Sequence, residues 1–339
     1  MTDSIQYSIF SVCDEPHCVW GWDLAERNIR FVNGIDDAYF DYIADTHQQH
    51  LNGKYAQQAS IALRANYHLC LETLFGLIGA TLQAPDCVVG WVLKANTYQL
   101  RTLVSSLCNN NMNFPVKWEI STEFKGIGFT EVAKIVMGNT VWSNKIEDNT
   151  VEKFATLWGR LAVDFLDPHA ISEYNSIKHG FRMRSGGFSV RVGREHEFGV
   201  PPPEEEMESI GGSEFGTSFY MAEAVYGAPK VKRDPHFMLR QHSLNWLPDS
   251  TAGRMLLACQ SIHNLRACLS IANGRSPSEV IFQRCRDAGD FDKPWRRSTG
   301  VTHSSMDFTV CEADIQRATH SELRSFLISN CDDRKDENE

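Results

Sequence analysis

The sequence has no long hydrophobic run, and its first residues do not lead us to expect a secretory leader. None of its apolar stretches approaches the ~18 residues that a membrane-spanning helix requires. The first ten residues, MTDSIQYSIF, lack the basic start and apolar stretch of a signal peptide. These two absences predict a cytoplasmic protein with no membrane partner.

Signatures of the common enzyme classes are missing as well. The chain contains no GxxxxGK[ST], no GxGxxG after a predicted strand, no HExxH, no GxSxG and no paired CxxC. Their absence weakens assignment as an NTPase, a dinucleotide enzyme, a zinc protease or a serine hydrolase. We therefore predict no metal and no cofactor.

The ten cysteines are scattered, and several stand inside apolar runs, which is typical of reduced, buried thiols. The segment CDEPHC places Cys13, His17 and Cys18 together and could offer zinc three ligands. A closed zinc site needs four ligands, and no second cluster has matching spacing. We interpret the segment as a turn beside a small strand.

His47 and His50 are interpreted as polar residues on the outer face of a helix.

Size and charge limit the remaining classes. With 339 residues and 42% hydrophobic content, the chain can bury a substantial core. Its net charge of −10 argues against wholesale wrapping of nucleic acid. A local basic stripe can nevertheless bind phosphate, so the distribution of charge matters more than its sum.

Hydrophobic periodicity predicts a mainly α protein, a helical bundle with a small β-hairpin or sheet insertion. Helices are expected at 36–51, 54–83, 95–108, 129–137, 151–166, 249–273 and 313–329. The predicted organisation is a cap of small strands at 1–35, a helical core at 36–185, a β-rich insertion at 186–240, C-terminal helices at 241–330 and a charged tail at 331–339.

A further helix is predicted just before the insertion. Asp167 can cap its N-terminus, Pro168 suits the first helical position, and Gly180 can supply the left-handed residue after its end. This predicts three turns that end at His179. The last turn carries Asn175, Lys178 and His179.

Arg64 and His68 stand one turn apart on the longest predicted helix and can reach the same space. Arginine can hold a phosphate with two hydrogen bonds, and histidine can exchange a proton near neutral pH. The pair therefore suits phosphodiester chemistry. In the alternative interpretation, both belong to a solvent-facing stripe of Gln57, Ser60, Arg64, His68 and Glu72.

No acidic residue occurs from Tyr174 to Arg194, although the chain is acidic overall. Basic residues accumulate there, interleaved with Phe181 and Phe188, a combination that suits single-stranded RNA. The predicted nucleic-acid contacts are Lys178, Arg182, Arg184, Arg191 and Arg194. Alternatively, the arginines form the wet face of a hairpin, and Asn175 and His179 satisfy backbone groups at the helix end.

The long helix with Arg64 and His68, followed by the segment EYNSIKHG, resembles the HEPN superfamily of bacterial helical proteins. The resemblance covers about residues 36–275. It implies an RNA-acting protein of a toxin–antitoxin or phage-defence type, including a metal-independent endoribonuclease, with RNA or an antitoxin as partner and a homodimer as the assembly. The Arg–His motif of the family has four to six intervening residues, whereas three separate Arg64 from His68.

The resemblance also implies roles for five residues. Arg64 and Lys178 would clamp phosphate, His68 or His179 would transfer protons to or from the 2′-hydroxyl and the leaving oxygen, and Asn175 would orient the substrate. The second hypothesis is a non-catalytic binding or scaffold protein in which the KHG segment is structural.

Overall fold

Helices make up most of the structure, a computed structural model that describes residues 7–20, 24–114, 126–138, 149–225, 236–284, 287–311 and 318–326. The helices are α1 Leu24–Gly34, α2 Tyr39–Gln48, α3 Ala56–Gln83, α4 Val88–Lys94, α5 Thr97–Cys108, α6 Phe129–Met137, α7 Thr150–Leu166, α8 Pro168–Lys178 and α9 Pro248–Ala272. The predicted mainly α fold is confirmed. Its more specific form, a HEPN-like bundle, remains a proposal.

The strands form small antiparallel sheets. They are β1 Tyr7–Val12, β2 Glu15–Trp20, β3 Met183–Ser185, β4 Ser189–Val192, β5 Glu208–Gly212, β6 Gly216–Val225, β7 His236–Asn245 and β8 His303–Cys311. β1 pairs with β2, β4 pairs with β5, and the remaining four are ordered β3-β6-β7-β8. In the register of β3 and β6, Met183 lies opposite Phe219 and Ser185 lies opposite Thr217.

Two compact units divide the chain. The first comprises residues 1–219 and 243–304, and it holds the named helices and the hydrophobic core. The second comprises residues 220–242 and 305–339. In the second unit, Arg240 on β7 donates hydrogen bonds to both carboxylate oxygens of Asp307 on β8, and residues 320–326 are helical.

The core of the first unit is organised around α3, which packs most extensively against α9. Helix α3 buries apolar side chains on more than one face, including Tyr67 and Leu71 on one side and Leu77 and Ala80 on others. A helix that is apolar nearly all round must lie inside a bundle rather than on its surface.

Three features differ from the sequence prediction. The stretch around Ile29–Val32, expected within a region of small strands, lies in α1, where Asn28 and Val32 are buried at the four-residue spacing of a helix face. Strand β8 occupies His303–Cys311, within a region expected to be helical, and β7 extends to Asn245. For β7 and β8, tertiary pairing in the sheet overrides the weak local signals.

Parts of other predictions fall outside the described residues. The expected helix at 313–329 is described only over 318–326, and the tail at 331–339 is not described. Within the described chain, no single helix combines the length and apolar character needed to cross a bilayer. The bent pair α3 and α4, at 120°, meets that criterion only when both are taken together.

Gly79 on α3 allows α4 to fold back against it. A Cβ atom at Gly79 would lie 2.3 Å from the ring of Trp91, which is 1% exposed. A Cβ atom at Gly76, about one turn earlier on the same helix, would meet nothing within 4 Å. The close approach of the buried indole therefore requires glycine at 79 and not at 76.

We predict that Gly79→Ala is less stable than Gly76→Ala by about 1–3 kcal/mol, because the added methyl group overpacks the core. Both variants gain the same helix propensity, so their difference isolates the contact with Trp91. The measurement is the free energy of unfolding in urea. Equal stabilities would show that Trp91 does not pack against Gly79.

Candidate functional site

A buried carboxylate joins α3 to α8. Glu173 is 0% exposed, and its Oε2 accepts a hydrogen bond from Nε of Arg64 at 2.7 Å. Nε2 of His68 lies 3.5 Å from the same oxygen. The hydroxyl of Thr217 on β6 donates to Oε1 at 2.6 Å. Arg64, His68, Glu173 and Thr217 thus form one hydrogen-bonded network, which we call the Glu173 network.

The network sets the charge of its members. Burial acts to raise the pKa of Glu173, but the guanidinium of Arg64 and the hydrogen bonds from His68 and Thr217 outweigh it and lower that pKa to about 2. Burial lowers the pKa of His68, although Glu173 opposes the shift. Near neutral pH, Glu173 is therefore ionised and His68 is neutral.

The polar stripe of α3 faces protein rather than solvent. Ser60 accepts a hydrogen bond from the indole of Trp246 at 2.9 Å, and Gln57 donates to the carbonyl of Glu214 at 2.9 Å. Arg64 and His68 continue the stripe into the Glu173 network. The alternative interpretation of this stripe as a solvent face is therefore wrong, because each polar side chain has a partner on another element.

Tyr174 stands between the two groups of residues that the sequence predicts to be catalytic. Its ring centroid lies 5.2 Å from that of His68, and the ammonium of Lys178 lies 5.2 Å from the same ring centroid. Its hydroxyl donates to Glu72 at 3.3 Å. Asn175 and His179 are exposed on and just after α8.

The five predicted catalytic residues therefore occupy two environments. Arg64 and His68 are held inside by Glu173, whereas Asn175, Lys178 and His179 face solvent. Among the described residues, no hydrogen bond or ion pair joins the first group to the second. Glu173 immediately precedes the acid-free stretch, and no sequence pattern indicated a role for it.

The end of α8 forms an exposed basic surface. The N-cap and start of α8 are as predicted, with Asp167 accepting a hydrogen bond from the backbone of His169 and Pro168 in the first turn. Gly180 has φ +106°, as a helix end requires, and Phe181 has φ 53°. The side chain of Phe181 is 68% exposed. We call Lys178, His179, Phe181, Arg182 and Arg184 the basic patch.

The other two predicted nucleic-acid contacts, Arg191 and Arg194, lie in a region that also holds acidic residues. Nη1 of Arg191 on β4 lies 3.4 Å from a carboxylate oxygen of Glu204, and His196 lies 2.6 Å from Glu206. The acidic run 204–206 thus partly neutralises this basic segment. Arg194 is exposed in the same region. Arg182 and Arg184, by contrast, form no ion pair with any described residue.

The CDEPHC segment forms the turn between β1 and β2 and the first part of β2. Cys13 lies in the turn between β1 and β2, is buried, and donates a hydrogen bond from its thiol to the carbonyl of Gln99 at 3.3 Å. Burial raises the pKa of this thiol to about 11, with Asp14 and Glu15 adding to the effect. A protonated, hydrogen-bonded thiol is a poor metal ligand.

A cavity of about 380 Å³ lies within the first unit, beside the Glu173 network. Its lining includes Arg64, Arg254, Arg297, His169 and His303. The two imidazoles stack with ring centroids 4.1 Å apart. The cavity could not be found from the sequence, because its residues come from α3, α7, α8, α9, the end of β7 and the segment that leads into β8, and only the tertiary fold brings them together.

Comparison with known proteins adds no relative. No protein-family model, curated protein sequence or solved structure matches this chain. The resemblance to the HEPN superfamily therefore remains a hypothesis drawn from the residues.

We predict that Glu173→Gln destabilises the protein by about 3–5 kcal/mol at pH 7, because it leaves the buried Arg64 without its counter-ion. The pKa of Glu173 is lowered from 4.5 to about 2. Its stabilisation is therefore complete above about pH 4.5 and is lost as pH falls toward 2. The difference in free energy of unfolding between the wild type and Glu173→Gln, measured in urea, should therefore shrink as the pH falls from about 4.5 to about 2.

Glu72→Gln is the matched control, since among the described residues Glu72 accepts a single hydrogen bond, from Tyr174 at 3.3 Å. It should cost about 1 kcal/mol. Equal losses for both variants at pH 7 would contradict a structural role for the Glu173 network.

Proposed function

We propose that this chain is an RNA-binding protein of a HEPN-like kind, which holds single-stranded RNA on the basic patch. The observation that carries the proposal is the exposure of Lys178, Arg182 and Arg184 around an outward-facing phenylalanine, without described acidic partners for the two arginines. Cationic side chains can neutralise consecutive phosphates, and an exposed ring can stack on a base.

The backbone at Phe181 supports this assignment. A bulky residue at φ 53° is strained by roughly 1–2 kcal/mol, yet the aromatic side chain points into water and gains little burial there. Glycine or asparagine would suit the position better. An exposed aromatic residue kept at a strained position is a candidate for ligand contact.

The HEPN-like part of the proposal rests on the central bundle. A long helix that carries Arg64 and His68 packs against the helix that carries EYNSIKHG, and both side chains are directed to that helix. An RNA ligand would be met in the cytoplasm. A toxin or defence setting, an antitoxin partner and a homodimer remain expectations of the resemblance.

The geometry favours binding over cleavage. Cleavage through the 2′-hydroxyl needs a phosphate clamp and proton-transfer groups that reach the same bond. His68 is buried, and Tyr174 lies between it and Lys178. His179 is exposed but has no hydrogen-bonding contact with Arg64. We therefore propose that the Glu173 network shapes the fold and that the basic patch binds RNA.

We predict that Arg182→Gln/Arg184→Gln weakens binding of a labelled single-stranded RNA about 10- to 100-fold at low salt and lowers the slope of log K against log salt by about 1–1.5. Fluorescence anisotropy over a salt series measures both quantities. Phe181→Asn should weaken binding without loss of stability, because asparagine tolerates a positive φ.

The control is Arg191→Gln/Arg194→Gln, which removes the same charge beside the acidic run 204–206. Its effect on RNA affinity should be much smaller. Equal losses of RNA affinity for the two double variants would show that binding depends on the overall charge of the protein and not on the basic patch. Absence of RNA binding by the wild type would favour the scaffold hypothesis.

We also predict that wild-type protein leaves the bound RNA intact in EDTA, because Glu173 holds Arg64 and His68 inside the protein, away from the exposed Lys178 and His179. Denaturing gels of the incubated RNA test this. Metal-independent cleavage that disappears in His179→Ala, with folding preserved, would show that the protein is an endoribonuclease.

A further inference from the structure

The cavity beside the Glu173 network has the chemistry of an anion site. Three guanidinium groups reach its wall, those of Arg64, Arg254 and Arg297. The stacked imidazoles of His169 and His303 line another part. Guanidinium groups match the oxygens of phosphate with paired hydrogen bonds.

The carboxylates at the cavity are already engaged by the protein. Asp164 accepts hydrogen bonds from the hydroxyl of Tyr67 at 2.5 Å and from Arg254 at 2.9 Å. Asp167 caps α8 by accepting a hydrogen bond from the backbone of His169 at 2.9 Å. Glu173, outside the cavity, balances Arg64. Asp164 and Glu173 therefore balance Arg254 and Arg64, whereas Arg297 forms no ion pair with a described residue.

The arginines of the cavity have N–H groups that form no hydrogen bond with a described residue. Arg64 uses Nε for Glu173, and its two terminal nitrogens make no hydrogen bond with a described residue. Arg254 uses one terminal nitrogen for Asp164, and its buried Nε has no partner among the described residues. Arg297 is exposed and forms no ion pair with any described residue. The terminal N–H groups of Arg64 and those of Arg297 are therefore available to a ligand.

The two indoles hold the guanidinium groups at the wall. Arg64 lies 5.1 Å from the ring centroid of Trp246, and Arg254 lies 5.0 Å from that of Trp295. Cation–π contact fixes the planes of these groups without consuming their N–H donors. The positions of the donors are thus set before any ligand arrives, which reduces the entropy lost on binding.

Two helices also begin at this cavity. The first turns of α8 and α9 contribute Ala170, Ser250 and Thr251 to its lining. The start of α9 has no side-chain cap, so its first amides lack a partner within the helix. Partial positive charge at the uncapped start of α9 adds to that of the arginines, whereas the carboxylate of Asp167 offsets it at the start of α8.

We infer that this cavity binds a phosphate group, either as inorganic phosphate or as the phosphomonoester of a small molecule. Its volume of about 380 Å³ lies within the range of ligand pockets and has room for more than the phosphate alone. The phosphate lies against Arg64 and Arg254 at the wall, and Arg297 closes over it from the exposed side.

The test uses the full chain and measures binding of AMP, inorganic phosphate and adenosine by isothermal titration calorimetry. Arg297→Glu places a carboxylate at the mouth of the cavity and should weaken the phosphate-bearing probes about tenfold or more. Arg296→Glu makes the same charge change at the neighbouring exposed residue, which does not line the cavity, and should bind as the wild type does.

The probes separate the sources of the phosphate group. AMP binding tighter than inorganic phosphate, with no binding of adenosine, assigns the cavity to a phosphomonoester. Inorganic phosphate binding as tightly as AMP assigns it to the free ion. Either result supports the inference if Arg297→Glu weakens binding and Arg296→Glu does not.

The inference is overturned if neither phosphate-bearing probe binds at millimolar concentration, if adenosine binds as well as AMP, or if the two glutamate variants behave alike. Arg182→Gln/Arg184→Gln keeps the cavity and should bind AMP as the wild type does. Failure of RNA binding and failure of phosphate binding are therefore separate results.

Discussion

The ionised carboxylate of Glu173 is the constraint on which the arrangement of α3, α8 and β6 depends. A buried charge is tolerated only when it is paired and hydrogen-bonded, and here three side chains from two other elements supply the partners. Removing any partner leaves charge or hydrogen-bonding capacity unmatched in the interior. The angle at which α8 lies on α3 is therefore set by polar geometry as well as by apolar packing.

This constraint divides a short sequence motif between two environments. Glu173 and Ile177 point inward from α8, whereas Asn175, Lys178 and His179 point outward. Residues that are neighbours in sequence thus serve different purposes. The inward residues hold the bundle together, and the outward residues are free to meet a ligand. The sequence motif alone does not distinguish the inward-facing residues of α8 from the outward-facing ones.

The sequence predicts those features that local chemistry controls. Helix α8 begins and ends as expected because Asp167, Pro168 and Gly180 each suit one backbone position. The central helix is equally evident from its length and apolar content. The bounds of most core helices follow within a few residues.

Features that depend on distant contacts could not be predicted. The polar stripe of α3 has the spacing of a solvent face, and nothing local shows that Trp246 and Glu173 will cover it. The acid-free strip looks uniformly basic, but the acids at 204–206 return to Arg191 and His196 only after β4 and its loop have folded. The charge pattern of a sequence therefore shows only which surfaces could be basic. Ion pairs formed in the folded protein decide which charges remain unpaired.

Arg64 connects the Glu173 network to the cavity. Its Nε is committed to Glu173, while its side chain is 13% exposed and lines the cavity. A guanidinium can serve both purposes because its five N–H donors point in fixed and different directions. Lysine could not serve both purposes, since its single compact ammonium group could not contact Glu173 and face the cavity at the same time. The same ion pair that orders α3 against α8 thus also orients donors toward the cavity, so the fold itself supplies the rigidity that the proposed phosphate site needs.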